Sequence, residues 1–188
     1  QISSFFSPDR TTQVPNRDSS EFILDQNNLF FNNQYQGRDN LQRNDRLNFG
    51  ITSLLMSDKI GEINFFVGQS HKLSGTQKNI SLPNKNRQSH IINSISWHPN
   101  EMYNFSWFSL NDHHNLKTDT SDFSFYGSQE GWSYSTNYRS VNKQFVSDNI
   151  DREELILSVS KNFYKLKTSY SRKYDLRNNN EELISEIL

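Results

Sequence analysis

The chain has 188 residues, a net charge of -1 and no cysteine. That balance offers no basic field to a nucleic acid, and without thiols neither a disulfide framework nor a thiolate metal site is encoded in it. Mean hydropathy is -0.86 although aromatics reach 13%; disordered chains are polar but poor in aromatics, whereas strands with one apolar and one wet face give both values at once.

In chain order, Gln1 to Phe6 reads as the end of a strand. Ser7 to Asp25 carries Pro8, Pro15 and Asn16 and reads as loop. Asn28 to Tyr35 places Leu29, Phe30, Phe31 and Tyr35 in an Asn/Gln background, and a polar run follows Gly37 to Asn44. So long an irregular stretch is usually functional or disordered. From Asp45 the pattern becomes regular. Strands are predicted at Asp45 to Met56, Glu62 to His71, Ser89 to His98, Met102 to Leu110, Asp119 to Tyr126, Gly131 to Ser140, Glu153 to Ser160 and Lys165 to Tyr174, with a partial strand from Leu183 to Leu188. Turns are predicted at Ser57 to Gly61, His98 to Glu101, Gly127 to Glu130 and Lys161 to Tyr164. The clearest strand is Gly131 to Ser140: Trp132, Tyr134, Thr136 and Tyr138 fall on one side, and Ser133, Ser135, Asn137 and Arg139 on the other. A helical period would scatter them.

The connections alternate strictly between short and long. A soluble sandwich has no reason to keep every second connection short, but a transmembrane barrel has tight turns at one end and longer loops at the other. No run of about 18 apolar residues exists, yet barrel strands need only about 9–11 residues each. The fold class expected is therefore all-β: an antiparallel transmembrane β-barrel fragment of about eight full strands plus partial end strands. Residues 1–44 would be a strand end and a long external or lumenal loop. Residues 45–188 would be one continuous barrel domain of up-and-down strands, truncated at both ends. The start at Gln1, with no signal-like segment, fits a mature form or a piece of a longer protein.

Few residues point to bond chemistry. Gly68-Gln69-Ser70-His71-Lys72 begins like a nucleophile elbow but lacks the closing glycine and lies on a strand. His71, His90, His98, His113 and His114 show no metal-ligand spacing on one helix face, although Asp112 beside His113 and His114 leaves room for a divalent ion in a loop. Glu153-Glu154 and Glu181-Glu182 each open a strand and read as a charged rim, which could bridge lipid phosphates through divalent cations. Arg139, Arg172 and Lys173 are expected on the Ser/Asn side or near loops. No catalytic residue, metal site or cofactor is assigned, and nucleic acid is not an expected partner.

Val14-Pro15-Asn16-Arg17-Asp18-Ser19, then Asn28-Leu29-Phe30, then Asn33 to Asp39 with Gly37, resemble the C-terminal barrel region of the lipopolysaccharide-assembly family LptD (OstA or Imp). The similarity continues through Arg46, Phe49 to Ser53, Val67 to Ser70, His98 to Asn100 and Ile150-Asp151, and so covers nearly the whole chain. Gln34, Arg38 and Asn40 depart from the family pattern, where arginine, an aromatic and arginine are common. The resemblance implies an outer-membrane translocon of Gram-negative cells that inserts lipopolysaccharide into the outer leaflet without making or breaking a bond. It implies a plug lipoprotein in the lumen and periplasmic transport-bridge proteins as partners. Asn28, Leu29, Phe30, Gly37 and Asp39 would form a structural motif loop. Trp132, Tyr134 and Tyr138 would face lipid, and Ser133, Ser135, Asn137 and Arg139 the lumen. The competing readings are another outer-membrane barrel, such as a porin or receptor, and a soluble β-sandwich carbohydrate-binding module. The sandwich predicts aromatic faces meeting in a dry core.

Overall fold

The computed structural model describes residues 1–5, 20–21, 23–31, 35–36, 45–74, 88–143, 150–164, 166–178 and 180–187. Twelve strands form: β1 (Ile2–Phe5), β2 (Ser20–Glu21), β3 (Tyr35–Gln36), β4 (Arg46–Ser57), β5 (Gly61–Lys72), β6 (Ile91–Asn100), β7 (Tyr103–Asn111), β8 (Thr118–Gln129), β9 (Trp132–Val141), β10 (Arg152–Phe163), β11 (Leu166–Asp175) and β12 (Asn180–Ile187). Ten of them lie in one sheet in the order β1-β4-β5-β6-β7-β8-β9-β10-β11-β12, and β2 pairs with β3 separately. The eight full strands and two partial end strands expected from the alternation are therefore present. The sheet is not closed on itself: β1 and β12 are its two edges.

Strands outrun several predicted turns. β6 continues through Pro99 and Asn100, β8 through Gln129, and β10 through Phe163. Gly127, predicted to turn, stays in β8 opposite Tyr134, because the turn chemistry sits farther on. Glu130 (φ 51°) and Gly131 (φ 76°) are both left-handed, the conformation a two-residue hairpin turn demands, and glycine takes it at no steric cost. Gln129 and Trp132 then close the hairpin as partners.

The chain divides into two compact units. One contains Gln1–Thr52, Phe66–Asn93 and Leu110–Lys117. Its buried apolar residues are Leu24, Leu29, Phe66, Ile92 and Leu110, with Arg46, Asn48, Ser70, Ser89 and His90 buried among the polar ones. The other contains Ser53–Phe65, Ser94–Ser109 and Thr118–Leu188. There only Val141 is a buried hydrophobe among the described residues, so its stability rests on strand ladders and cross-strand pairs rather than on an enclosed core.

Candidate functional site

In the second unit, the tight hairpins fix the register and the register fixes the faces. On one face Gly127, Tyr134, Val159 and Tyr170 form a row across β8 to β11, and Phe123, Tyr138, Leu155 and Tyr174 form another. Rings pack along this face, Trp97 stacked on Phe105 at 5.1 Å between centroids and Phe105 tilted against Phe125 at 4.7 Å. Tyr134 leans over Gly127 so closely that a Cβ there would meet its ring at 2.3 Å. Despite this stacking, Trp97, Trp107, Phe123, Leu157, Val159 and Tyr170 are exposed, and Trp132 is 45% exposed. Trp132 opens β9 beside the tight turn, with the Lys161 ammonium 4.8 Å from its ring centre.

The opposite face is wet. Ser128, Ser133, Ser160 and Ser169 make one row, and Tyr126, Ser135, Ser158 and Ser171 the next. Hydroxyls bond to each other across strands, Ser171 Oγ donating to Ser158 Oγ at 2.8 Å and Ser106 sharing a 2.6 Å bond with Ser124. Asn137 follows between Ser124 and Ile156, an apolar member of this face. Then Asp122, Arg139 and Glu154 stand opposite one another on β8, β9 and β10. Arg139 Nε lies 3.3 Å from Asp122, and Lys173 Nζ lies 2.9 Å from Glu154. The direct partner of Glu154 on β11 is Asp175, and Lys173, opposite Ile156, reaches Glu154 diagonally, so charge alternates in sign across β8, β9 and β10. A cleft of about 310 Å³ includes Ser124, Asn137, Arg139 and Glu154 in its walls.

The predicted grouping of β9 is thus what the structure shows: Trp132, Tyr134 and Tyr138 share a face, and Ser133, Ser135, Asn137 and Arg139 share the other. Of the two placements expected for Arg172, the Ser/Asn side does not hold and the position near a loop does. Arg172 lies opposite Leu157, with Tyr170 and Tyr174 on either side in the same row direction, and so belongs to the aromatic face. Its guanidinium reaches along the strand toward the β11–β12 connection, donating to Tyr174 Oη at 3.4 Å and lying 3.7 Å from Glu181. A long side chain that carries its charge to the edge of an apolar face explains the placement. The rim carboxylates also have partners: Tyr138 donates to Glu153 at 2.8 Å, and Arg177 lies 3.2 Å from Asp151.

The first unit contains a polar network that sequence reasoning did not find. Residues 23–31 fold into two consecutive turns, with Leu29 N–H bonded to the Asp25 carbonyl and Phe31 N–H to that of Asn28, both at 3.0 Å. Asp25 Oδ1 accepts the N–H groups of Asn27 and Asn28, a side chain mimicking a backbone turn. Asn28 Nδ2 donates to the Ile23 carbonyl at 2.9 Å. Leu29, fully buried, drops against Gly68, where a Cβ would meet its Cδ2 at 2.6 Å, and Phe30 lies over Gly50. Asn48 Nδ2 donates to the Leu29 carbonyl at 2.7 Å, and Asn48 Oδ1 accepts from Ser70 Oγ at 2.6 Å. Ser70 N–H bonds Ser89 Oγ at 2.8 Å, and Arg46 donates to the Phe31 carbonyl. The motif residues Asn28, Leu29 and Phe30 are thereby located; Gly37 and Asp39, with Gln34, Arg38 and Asn40, lie outside the described residues.

Ser70, the serine of the incomplete elbow, is on β5 and 1% exposed, with its hydroxyl engaged by Asn48. His113 and His114 rings approach to 3.9 Å in the β7–β8 connection. The structure also brings the ligand atoms of His90 and Asp112 within 4.8 Å, a proximity no sequence spacing showed. The backbone N–H groups of His114 and Asn115 hold the Asp112 carboxyl below its usual range, and partial burial lowers His113.

An antiparallel sheet of long hairpins, apolar and open to contact on one face, hydroxylated and charge-laced on the other, defines a class of protein made for two different surroundings. The family LptD, described as LPS transport system D, matches residues 4–181, and the chain belongs to it. Lipopolysaccharide transport is the role of that family. No curated protein matches the chain.

Proposed function

We propose that this chain forms part of the wall of an outer-membrane barrel that delivers lipopolysaccharide to the outer leaflet, with no bond made or broken. The carrying observation is the exposed aromatic face of β6 to β11 set against a face of paired hydroxyls and alternating charges. In water an exposed apolar surface of this extent is unfavourable; against acyl chains it is the stable arrangement, and alternation of apolar and polar residues is what a barrel wall requires. On this reading Trp132, Tyr134 and Tyr138 face lipid, with Trp132 and Lys161 at the short-turn interface. Ser133, Ser135, Asn137 and Arg139 line the lumen, where a plug lipoprotein and the saccharide pass or rest. Periplasmic bridge proteins deliver the cargo. An unpaired strand edge is not tolerated in hydrocarbon, so β1 and β12 would continue their pairing with the rest of a closed sheet.

Brominated phospholipids quench tryptophans that touch acyl chains. Full-length protein carrying Trp132 as its sole tryptophan, reconstituted in vesicles, is expected to be quenched by bromines near the headgroup end. Emission insensitive to every bromine depth overturns the lipid-facing assignment. Depletion of the protein should lower surface lipopolysaccharide; unchanged levels sink the transport role.

A further inference from the structure

We infer that residues 23–31 are a releasable cover over a saccharide-binding trough on β4 and β5. This inference rests on the transport reading and names a site within it. The trough has four parts: the guanidinium of Arg46, the amide of Asn48, the hydroxyl of Ser70 and the ring of Phe66, flanked by Gly50 and Gly68. An aromatic ring beside planar and hydroxyl hydrogen-bonding groups is the chemistry that takes a sugar, the ring meeting its C–H face and the polar groups its oxygens. In the structure the amide and guanidinium donors are occupied by peptide oxygens, and the Ser70 hydroxyl by Asn48 Oδ1. Asn48 holds the Leu29 carbonyl and Arg46 the Phe31 carbonyl, so the cover supplies the acceptor oxygens that hydroxyls or acidic groups of a saccharide would supply.

The cover is docked by side chains rather than by a ladder. Within residues 23–31, Leu24 and Leu29 are the fully buried apolar side chains, and neither turn adds a strand to the sheet. A segment outside the ladder can open locally without global unfolding, at the cost of the bonds that dock it. The two glycines make the docking snug yet leave nothing protruding once Leu29 and Phe30 withdraw, and Phe49 and Ile51 on the reverse side of β4 are exposed. With those two residues toward lipid, the trough lies toward the lumen.

The test uses the full-length protein in its membrane, in two arms. Ser70→Cys reports the cover through a water-soluble maleimide. Leu29→Asp, which removes the side chain in the Gly68 slot, is expected to raise the labelling rate about tenfold or more; equal rates overturn the cover. In the second arm a photo-crosslinkable residue replaces Asn48. A lipopolysaccharide adduct that grows on adding Leu29→Asp supports the ligand assignment. No adduct in either background, while depletion still lowers surface lipopolysaccharide, overturns it. Unchanged surface lipopolysaccharide on depletion instead overturns the transport reading, and the ligand assignment falls with it, whereas the labelling arm judges the cover alone.

Discussion

The two compact units solve the same problem, a β-sheet with polar groups to satisfy, in opposite ways. In the first, Asn48 and Ser70 are sealed from solvent and satisfied by a segment of the same chain. In the second, the hydroxyls of Ser158 and Ser171 bond to each other on a half-exposed face, and the rings on the other side remain exposed among the described residues. Buried polar networks are costly to break, because the partner left behind loses water as well as its bond. Open networks are inexpensive to break but need an environment suited to each face. The contrast separates a region whose sequence is constrained by internal fit from one constrained by its surroundings.

The sharpest way to break this contrast is to place a charge on each face of β9. Thr136 lies between Phe125 and Leu157, and Thr136→Arg should destabilise the membrane-folded state by about 2–4 kcal/mol near the midplane. Asn137→Arg, on the wet face, should be tolerated. Heat-modifiable migration across a urea series in vesicles measures both; equal effects would erase the distinction between faces. The native Arg172 does not contradict this, since its charge is carried toward the β11–β12 connection, to Tyr174 and Glu181, whereas Thr136 sits in the middle of β9.

In the first unit, Asn48→Ala removes the partner of the Leu29 carbonyl and of Ser70 and should cost about 1–3 kcal/mol. The cost should appear as faster proteolysis at residues 23–31 before global unfolding. Gly127→Val puts a side chain where the Tyr134 ring lies and should cost a comparable ~1–3 kcal/mol of overpacking, seen in the same urea series. Arg139→Ala breaks a half-exposed pair with Asp122 and should cost at most about 1 kcal/mol, shrinking in high salt. The smallest effect is in the β7–β8 connection. A carboxyl held below its usual range stabilises above that range and loses the effect as pH falls through its folded value. The Asp112 turn should therefore hold at neutral pH and loosen only below about pH 4. Proton-exchange rates at His114 and Asn115 check it, and loosening already at pH 6 would point to His113 instead.

How much was legible follows from how local each signal is. Strand alternation and turn residues act over a few positions, so β4 to β11 and both faces of β9 could be read directly. Turn limits slipped at Gly127 and Pro99 because a ladder continues past a residue that merely permits turning. Charge alone does not tell the side of Arg172; its pairing with Leu157 decides it. The Asn48–Ser70–Leu29 network was invisible because its members come from three distant segments. Parity along β4 and β5 marks Asn48 and Ser70 as polar positions, but nothing marks the carbonyl they serve.

The alternating charges have a consequence for assembly. Apolar alternation rejects any strand slip by one residue, since it would turn every ring to the wrong side, but it is blind to a slip by two. The charge row is not. Shifting β9 two residues along β10 sets Arg139 against Arg152 or Ile156 in place of Glu154. Asp122, Arg139 and Glu154 thus act as a key that distinguishes the right pairing of β8, β9 and β10 from the nearest wrong one that keeps every face intact.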